Sequence, residues 1–207
     1  MTVPPVPTLD RTCAAVRTAE GRDPEATAAV IDSQSVKAAA SVHSATRGYD
    51  GAKKINGRTR HLVVDTLGLL LMILVMPADA GDRATAADML PALKAKFRLL
   101  RRIWADSGYT GDLVTWAKTK LALIVEIVKR TDDLSGFRVV PRRWVAERTF
   151  GWLMRSRRLA RDYETRADSA QAVILWSMTM VMSRRLARHR RRRASSVTPR
   201  PGAGAAA

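Results

Sequence analysis

The chain has little of what identifies secreted, disulfide-bonded or membrane-spanning proteins. Cys13 is its one cysteine, so the chain can form neither an internal disulfide nor a cysteine-based zinc site. The longest apolar run, residues 67–76, is about half of the ~20 residues that a bilayer-spanning helix needs. The first residues do not show the basic start and apolar run of a signal peptide. These features favour an intracellular protein that contacts no membrane.

Acidic residues are also scarce. There are 19 Asp and Glu against 36 Lys and Arg, which gives a formal net charge of +17. Such an excess repels itself in a compact fold, so it indicates a polyanionic partner. Nucleic acid is the leading candidate, because each neutralised phosphate releases a condensed counterion. The alternatives are a generally basic protein without a specific ligand and a basic ribonucleoprotein component.

The 207 residues, 46% of them hydrophobic, suffice for one domain with a core. Residues 1–27 carry Pro4, Pro5 and Pro7, and we predict a weakly structured lead-in with at most a short helix at 11–20. The compact domain is predicted over residues 28–188. The Arg-rich and then Ala-, Gly- and Pro-rich residues 189–207 predict a basic, disordered tail.

Hydrophobic periodicity predicts an alternation of strands and helices. The predicted strands are 28–32, 61–65, 69–76, 100–106 and 121–130, and the predicted helices are 83–96, 112–119, 141–161 and 169–188. The second and third strands flank Gly68, which is a hairpin signal. This order predicts an α/β fold in which helices cover a sheet.

Two of the predicted strands end in an acid, at Asp32 and at Asp106, and a third acid, Glu147, lies in an Arg-rich helix. Hard cations such as Mg²⁺ bind through a few carboxylates, and paired ions catalyse phosphoryl transfer without a protein nucleophile. A surface ion pair is the other reading of Glu147. The remaining acids that compete for such a site are Asp65, Asp79 and Asp82.

Four segments resemble the catalytic region of bacterial insertion-sequence DDE transposases. They are IDSQSVKAA at 31–39, RGYDGAKKINGRTRHLVVDTLGL at 47–69, WADSGYTG at 104–111 and WVAERTFGWLMRSRRLARDYE at 144–164. The resemblance implies an RNase H-like mixed sheet flanked by helices. It also implies an enzyme that cuts and rejoins double-stranded DNA with two Mg²⁺ or Mn²⁺ ions.

Carried over residue by residue, the resemblance makes Asp32, Asp106 and Glu147 the catalytic and metal-binding residues. It further implies element ends and target DNA as partners, action as a homodimer, and a location in the bacterial cytoplasm at the nucleoid. Val140 and Met154 depart from the Tyr and Lys that many relatives carry around the third acid.

Relatives of this kind carry a further N-terminal region that helps to bind the terminal repeats. We therefore expect this chain to be a truncated copy or one frame of a two-frame element. A truncated, non-catalytic DNA-binding remnant is the alternative function.

Two basic clusters are predicted to hold the DNA backbone, since phosphate contacts position DNA without reading its sequence. A solvated face is the alternative for both. Tyr109 is assigned either to the site or to a turn, and Trp144 and Trp152 to the core. The predicted DNA-binding residues are Lys53, Lys54, Arg58, Arg60, Arg143, Arg148, Arg155 and Arg158.

Overall fold

The computed structural model describes residues 7–128 and 144–197. Its secondary structure alternates in the predicted order. The strands are β1 (Ala28–Lys37), β2 (Gly48–Asp50), β3 (Ile55–Asp65), β4 (Leu70–Pro77), β5 (Arg102–Ala105) and β6 (Ile124–Ile127). The helices are α1 (Pro7–Ala19), α2 (Asp82–Lys96), α3 (Asp112–Leu121), α4 (Trp144–Met154) and α5 (Ala167–Val197).

The sheet is mixed, with the order β2-β3-β1-β5-β6 and with β4 also paired to β3. The central strand β1 is antiparallel to β3, where Asp32 lies opposite Leu62, and parallel to β5, where Val30 lies opposite Trp104. β6 in turn pairs parallel to β5. α4 packs on β1 and β3, α5 on β4, and α3 on β6, so helices cover the sheet as the sequence predicts.

β1 is longer than the predicted strand 28–32. Its pairing with β3 continues as far as Lys37, because Ser35 and Val36 are also buried. Asp32 therefore lies within the strand, and the prediction that it ends the strand is wrong. The equivalent prediction for Asp106 is right, since this residue directly follows β5.

The predicted hairpin is present. β3 and β4 are joined by a tight turn in which Gly68 has a φ of 80° and its N–H donates to the Asp65 carbonyl at 3.0 Å. Glycine adopts this left-handed backbone without the steric cost of a side chain. The turn fixes the register of two strands that are buried along nearly all of their length.

Both ends of the chain carry more helix than predicted. α1 begins at Pro7, which suits a first helical turn, and it buries Leu9, Cys13 and Val16 along one stripe against the rest of the core. It packs against α5 and β4 instead of forming a loose lead-in. α5 in turn continues to Val197, well into the segment predicted to be disordered.

The helix predicted at 141–161 is divided. α4 spans Trp144–Met154, and a short 3-10 turn at Arg157–Leu159 follows it. Residues 141–143 lie outside the described residues. α4 buries Val145, Ala146 and Thr149 toward the sheet and leaves Glu147 exposed at its first turn.

Candidate active site

Asp106 is held at the carboxyl end of β5 by the backbone that follows it. Its Oδ1 accepts a hydrogen bond from the Gly108 N–H at 2.8 Å and so caps the 3-10 turn Ser107–Tyr109. Asp32 is held in a similar way, because its Oδ1 accepts from the Ser33 N–H at 2.8 Å. Both side chains are half-buried, so their carboxylates remain accessible from one side.

Asp32 and Asp106 lie at neighbouring positions, because β1 and β5 are parallel and each acid follows the paired residues Val30 and Trp104 by two positions. The Tyr109 side chain is only 1% exposed, and burial raises the pKa of its hydroxyl well above the ordinary range. The negative charges of Asp82, Asp32 and Asp106 raise this pKa further. The structure therefore brings Asp32 and Asp106 together around one buried phenol, although they lie on different strands.

The phenol oxygen has no hydrogen bond of good geometry in the described part of the chain, and the nearby Ser33 side chain offsets its raised pKa only in part. A hydroxyl that stays protonated beside three carboxylates can donate a hydrogen bond but cannot act as an anion. Tyr109 is therefore a neutral donor in this site and not a nucleophile.

Asp82 is the member of this group that was considered only as a competing acid. It opens α2, and its Oδ2 lies 3.1 Å from the point at which a Cβ on Gly108 would stand. Oδ1 of Asp106 lies 3.0 Å from the same point. The contact depends on how the start of α2 meets the turn after β5, so no local sequence signal reveals it.

His61 lies next to Asp82 in the fold. Its Nδ1 is 3.5 Å from the Asp82 Oδ1, and neither ring nitrogen forms a good hydrogen bond among the described residues. The side chain is fully buried in β3, and this burial lowers the pKa of the imidazole to about 4, which the Asp82 charge opposes. His61 is therefore neutral at physiological pH.

Glu147 lies in the first turn of α4. Its helix packs on β1, the strand that carries Asp32, but the side chain is exposed. Within residues 7–128 and 144–197, no three His, Cys, Asp or Glu side chains stand at metal-binding spacing. The donor chemistry at Asp32 and Asp106 fits a hard cation, because both offer carboxylate oxygens. The use of Asp32, Asp106 and Glu147 as one set of metal ligands stays a prediction.

Two predicted DNA contacts need correction. Arg58 and Arg60 lie in β3 and are 1% and 2% exposed. Arg58 donates to the Thr46, Glu164 and Thr165 carbonyls at 2.8–2.9 Å, and it pairs with Asp162 at 3.2 Å. These bonds link β3 to the segment that follows α4, so Arg58 cannot reach a DNA backbone.

Arg60 is buried in the same way. Its Nη1 donates to the Leu159 carbonyl at 2.7 Å, and burial lowers the pKa of its guanidinium to about 10. Lys53 and Lys54, in contrast, are exposed in the turn between β2 and β3. The first predicted basic cluster is therefore divided into two surface lysines and two interior arginines.

The second cluster is mostly at the surface. Arg155 and Arg158 are exposed, and Arg158 pairs with Glu164 at 2.7 Å. Arg148 is partly buried, with its guanidinium carbon 4.5 Å from the Trp144 ring and 4.9 Å from the Trp152 ring. It also donates to the Leu67 carbonyl at 2.9 Å. Arg143 lies outside the described residues.

The two tryptophans are therefore not simple core residues. Trp144 is 41% exposed and Trp152 is half-buried, and both rings contact the Arg148 guanidinium. Stacking of this kind fixes a long cationic side chain in one position.

Comparisons with known proteins show the family to which the chain belongs. The model of the Transposase DDE domain family matches residues 23–182, which is most of the chain. A putative transposase for insertion sequence element IS402 from Burkholderia cepacia is 29% identical over 119 residues. That match covers 54% of this chain and 56% of the relative, so the chain spans about half of the relative's length. The chain belongs to the Transposase DDE domain family.

A search of solved structures also found matches of low sequence identity. The catalytic domain of Mos1 mariner transposase has a TM-score of 0.47 at 10% identity, covering 91% of this chain and 94% of that one. The catalytic core domain of BIV integrase has a TM-score of 0.44 at 13% identity, covering 73% and 82%. A chain of the simian T-cell lymphotropic virus intasome has a TM-score of 0.48 at 17% identity, covering 74% of this chain and 48% of that one.

The mixed sheet with flanking helices, in which β1 is antiparallel to β3 and parallel to β5, is the α/β architecture that the sequence predicts. Members of the DDE family generally use divalent metal ions. In the described part of the chain, no helix is long and apolar enough to cross a membrane.

Proposed function

We propose that this chain is the catalytic domain of a DNA transposase that cuts an insertion sequence from double-stranded DNA and joins it to a target. The placement of Asp32 and Asp106 carries the proposal, because each acid lies two residues beyond the paired positions Val30 and Trp104 of the parallel strands β1 and β5. The family match spans these residues and Glu147, and the net charge of +17 suits a DNA substrate.

In this proposal, Asp32, Asp106 and Glu147 hold two Mg²⁺ or Mn²⁺ ions. Bound there, such ions activate an attacking hydroxyl and stabilise the leaving 3′-oxygen. Glu147 would contribute its carboxylate from α4, which packs on β1, the strand that carries Asp32. Lys53, Lys54, Arg148, Arg155 and Arg158 would then contact phosphates, and Arg143 adds a further charge.

Tyr109 has a defined part in this mechanism. Because its hydroxyl is buried beside Asp32 and Asp106, it can donate a hydrogen bond to one of these carboxylates and fix its orientation. The raised pKa keeps the proton on the phenol throughout the working pH range. The chemistry therefore proceeds without a covalent tyrosyl intermediate.

The direct test is cleavage of a plasmid that carries the DNA flanking this reading frame, in Mg²⁺ or Mn²⁺. We expect nicking by the wild-type chain and its loss in Asp32→Asn, Asp106→Asn and Glu147→Gln. Asp88→Asn, which changes an exposed acid in the middle of α2, is the matched control and should cut normally. Cleavage that survives Asp32→Asn in a folded protein would contradict the proposal.

A truncated, non-catalytic DNA-binding remnant is the second candidate. The observation that favours it is the net charge of +17, which suits DNA binding with or without cleavage. In this case the protein would bind the same DNA with no metal-dependent nicking. Action as a homodimer and a location at the bacterial nucleoid belong to the first proposal, and sedimentation with the DNA ends tests the dimer.

A further inference from the structure

A groove with a volume of about 1110 Å³ lies between the end of α4 and the outer face of α5. Seven of its described lining residues are arginines, and Glu20 is the one acid among them. Glu20 is already neutralised, because Arg185 donates to it at 2.6 and 2.9 Å and His189 lies at 3.0 Å. The groove therefore keeps a large positive charge.

One face of α5 supplies most of this lining in a regular order. Trp176, Met180, Arg184, Arg188 and Arg192 recur at every fourth residue, so they follow one another along the helix at intervals of about 6 Å. Like charges four residues apart destabilise a helix. A bound polyanion would offset this repulsion.

Trp176 indicates which class of polyanion binds in this groove. Its side chain is 74% exposed and Met180 beside it is 41% exposed, so a large apolar surface faces the same groove as the arginines. Aromatic side chains on which bases stack, combined with a basic groove for phosphates, are typical of sites for single-stranded nucleic acid. In a duplex the base faces are covered by their neighbours and are not available to Trp176.

The groove also borders α4, the helix that carries Glu147. Arg148, which follows Glu147 in the sequence, lines the groove, and its guanidinium lies 4.9 Å from the ring of Trp152, a second lining residue. A second copy of this chain fits less well, since a symmetric contact would place the arginines of both copies together.

We infer that this groove binds an unpaired DNA strand, with Trp176 stacked on a base and Arg184, Arg188 and Arg192 on phosphates. The inference rests on the proposed function only for the identity of the polyanion as DNA.

The test measures binding of a fluorescently labelled single-stranded oligonucleotide by anisotropy, in EDTA so that no cleavage contributes. Trp176→Ala should weaken binding roughly tenfold, and Trp176→Phe should recover most of it, because a phenyl ring still stacks. Replacing Arg184, Arg188 and Arg192 together by Gln should lower the salt slope of log K by about 2. The matched control replaces the exposed Arg98, Lys118 and Lys120 by Gln, and it should keep the wild-type slope.

The inference is overturned if the groove and control triple variants bind the strand equally, or if Trp176→Ala binds as the wild type does. It is also overturned if Trp176→Ala dissociates a dimer in sedimentation while strand binding is unchanged, which would make the groove an interface between copies. Because the assay contains no metal, loss of cleavage activity cannot produce any of these results. The binding assay in EDTA therefore tests this inference independently of the cleavage assay that tests the proposed function.

Discussion

Asp82 and Asp106 approach one another across Gly108, with a carboxylate oxygen of each within 3.1 Å of the point at which a glycine Cβ would stand. The two acids begin or follow different elements, α2 and β5, and meet only in the folded chain. Their negative charges also act on the same buried Tyr109 hydroxyl. Gly108 thus occupies a position where any side chain would press on the candidate site.

The first prediction follows from this contact. Gly108→Ala places a methyl group 3.0 Å from Oδ1 of Asp106, and the carboxylate must move by a few tenths of an ångström. We expect a folded protein whose Mn²⁺ affinity, measured by calorimetry, falls roughly tenfold, as for changes to groups that orient metal ligands. Gly81→Ala is the control, because a methyl group there meets open space. Unchanged Mn²⁺ affinity in Gly108→Ala would show that Asp106 takes no part in metal binding.

The second prediction concerns pH. Burial lowers the pKa of His61 to about 4 in the folded state, below its ordinary value of 6.5. The unfolded chain therefore binds the proton first as pH falls. The contribution of neutral His61 to the free energy of unfolding should be fully present above pH 6.5. The free energy of unfolding should then decrease by up to about 3 kcal/mol as pH falls toward 4. Urea unfolding at several pH values measures this loss.

His61→Leu should remove that part of the pH dependence. At neutral pH its free energy of unfolding should change by less than about 1.5 kcal/mol, because no good hydrogen bond of the imidazole is lost. His43→Gln changes an exposed histidine and should keep the wild-type profile. A His61→Leu profile identical to that of the wild type would refute the assignment to His61.

The third prediction concerns the buried ion pair between Arg17 and Asp65. The Asp65 Oδ1 also accepts from the Leu67 and Leu69 N–H groups at 2.9 and 2.8 Å, so this carboxylate joins α1 to the β3–β4 turn. Arg17→Met should destabilise the fold by about 3–5 kcal/mol, since it leaves a buried charge without its partner. Urea denaturation measures the change.

The double variant Arg17→Met with Asp65→Asn is the control. It removes both charges and keeps the side-chain oxygen that caps the turn, so it should be more stable than Arg17→Met alone. If the two variants unfold at the same urea concentration, the unpaired charge is not the cause of the loss.

The fourth prediction uses the single cysteine. Burial, together with the nearby Asp65 charge, raises the pKa of the Cys13 thiol to about 12. The thiolate is the reactive form, so iodoacetamide should leave native protein unmodified at mildly alkaline pH and should modify it rapidly in urea. Mass spectrometry measures the modified fraction. Rapid alkylation without denaturant would show that α1 does not stay packed on α5.

The sequence predicts well what depends on local pattern. Asp106 follows a short buried strand, and the Gly68 turn joins two apolar runs, so both features are visible in a few consecutive residues. Asp82 and His61 are different, because their contact forms only when α2 closes against β3. No periodicity in either segment predicts that pairing.

For the two arginines of β3, the local sequence pattern predicts the wrong location. Arg58 and Arg60 alternate with polar residues and look like a surface cluster, whereas both are interior because the segment after α4 covers the face of β3 on which they lie. Their charges are matched by carbonyls and by Asp162, which lie about 100 residues further along the chain. Such long-range partners leave no mark in the local sequence.

The central claim is that Asp32, Asp106 and Glu147 together surround the metal ions. Iron-mediated self-cleavage tests it directly: Fe²⁺ replaces Mg²⁺, ascorbate and peroxide generate hydroxyl radicals, and the peptide backbone is cut near the ion. The claim predicts cuts close to residues 32, 106 and 147, suppressed by excess Mg²⁺ and absent in Asp32→Asn. Cuts near residues 32, 82 and 106 without one near 147, or no specific cuts at all, would contradict it.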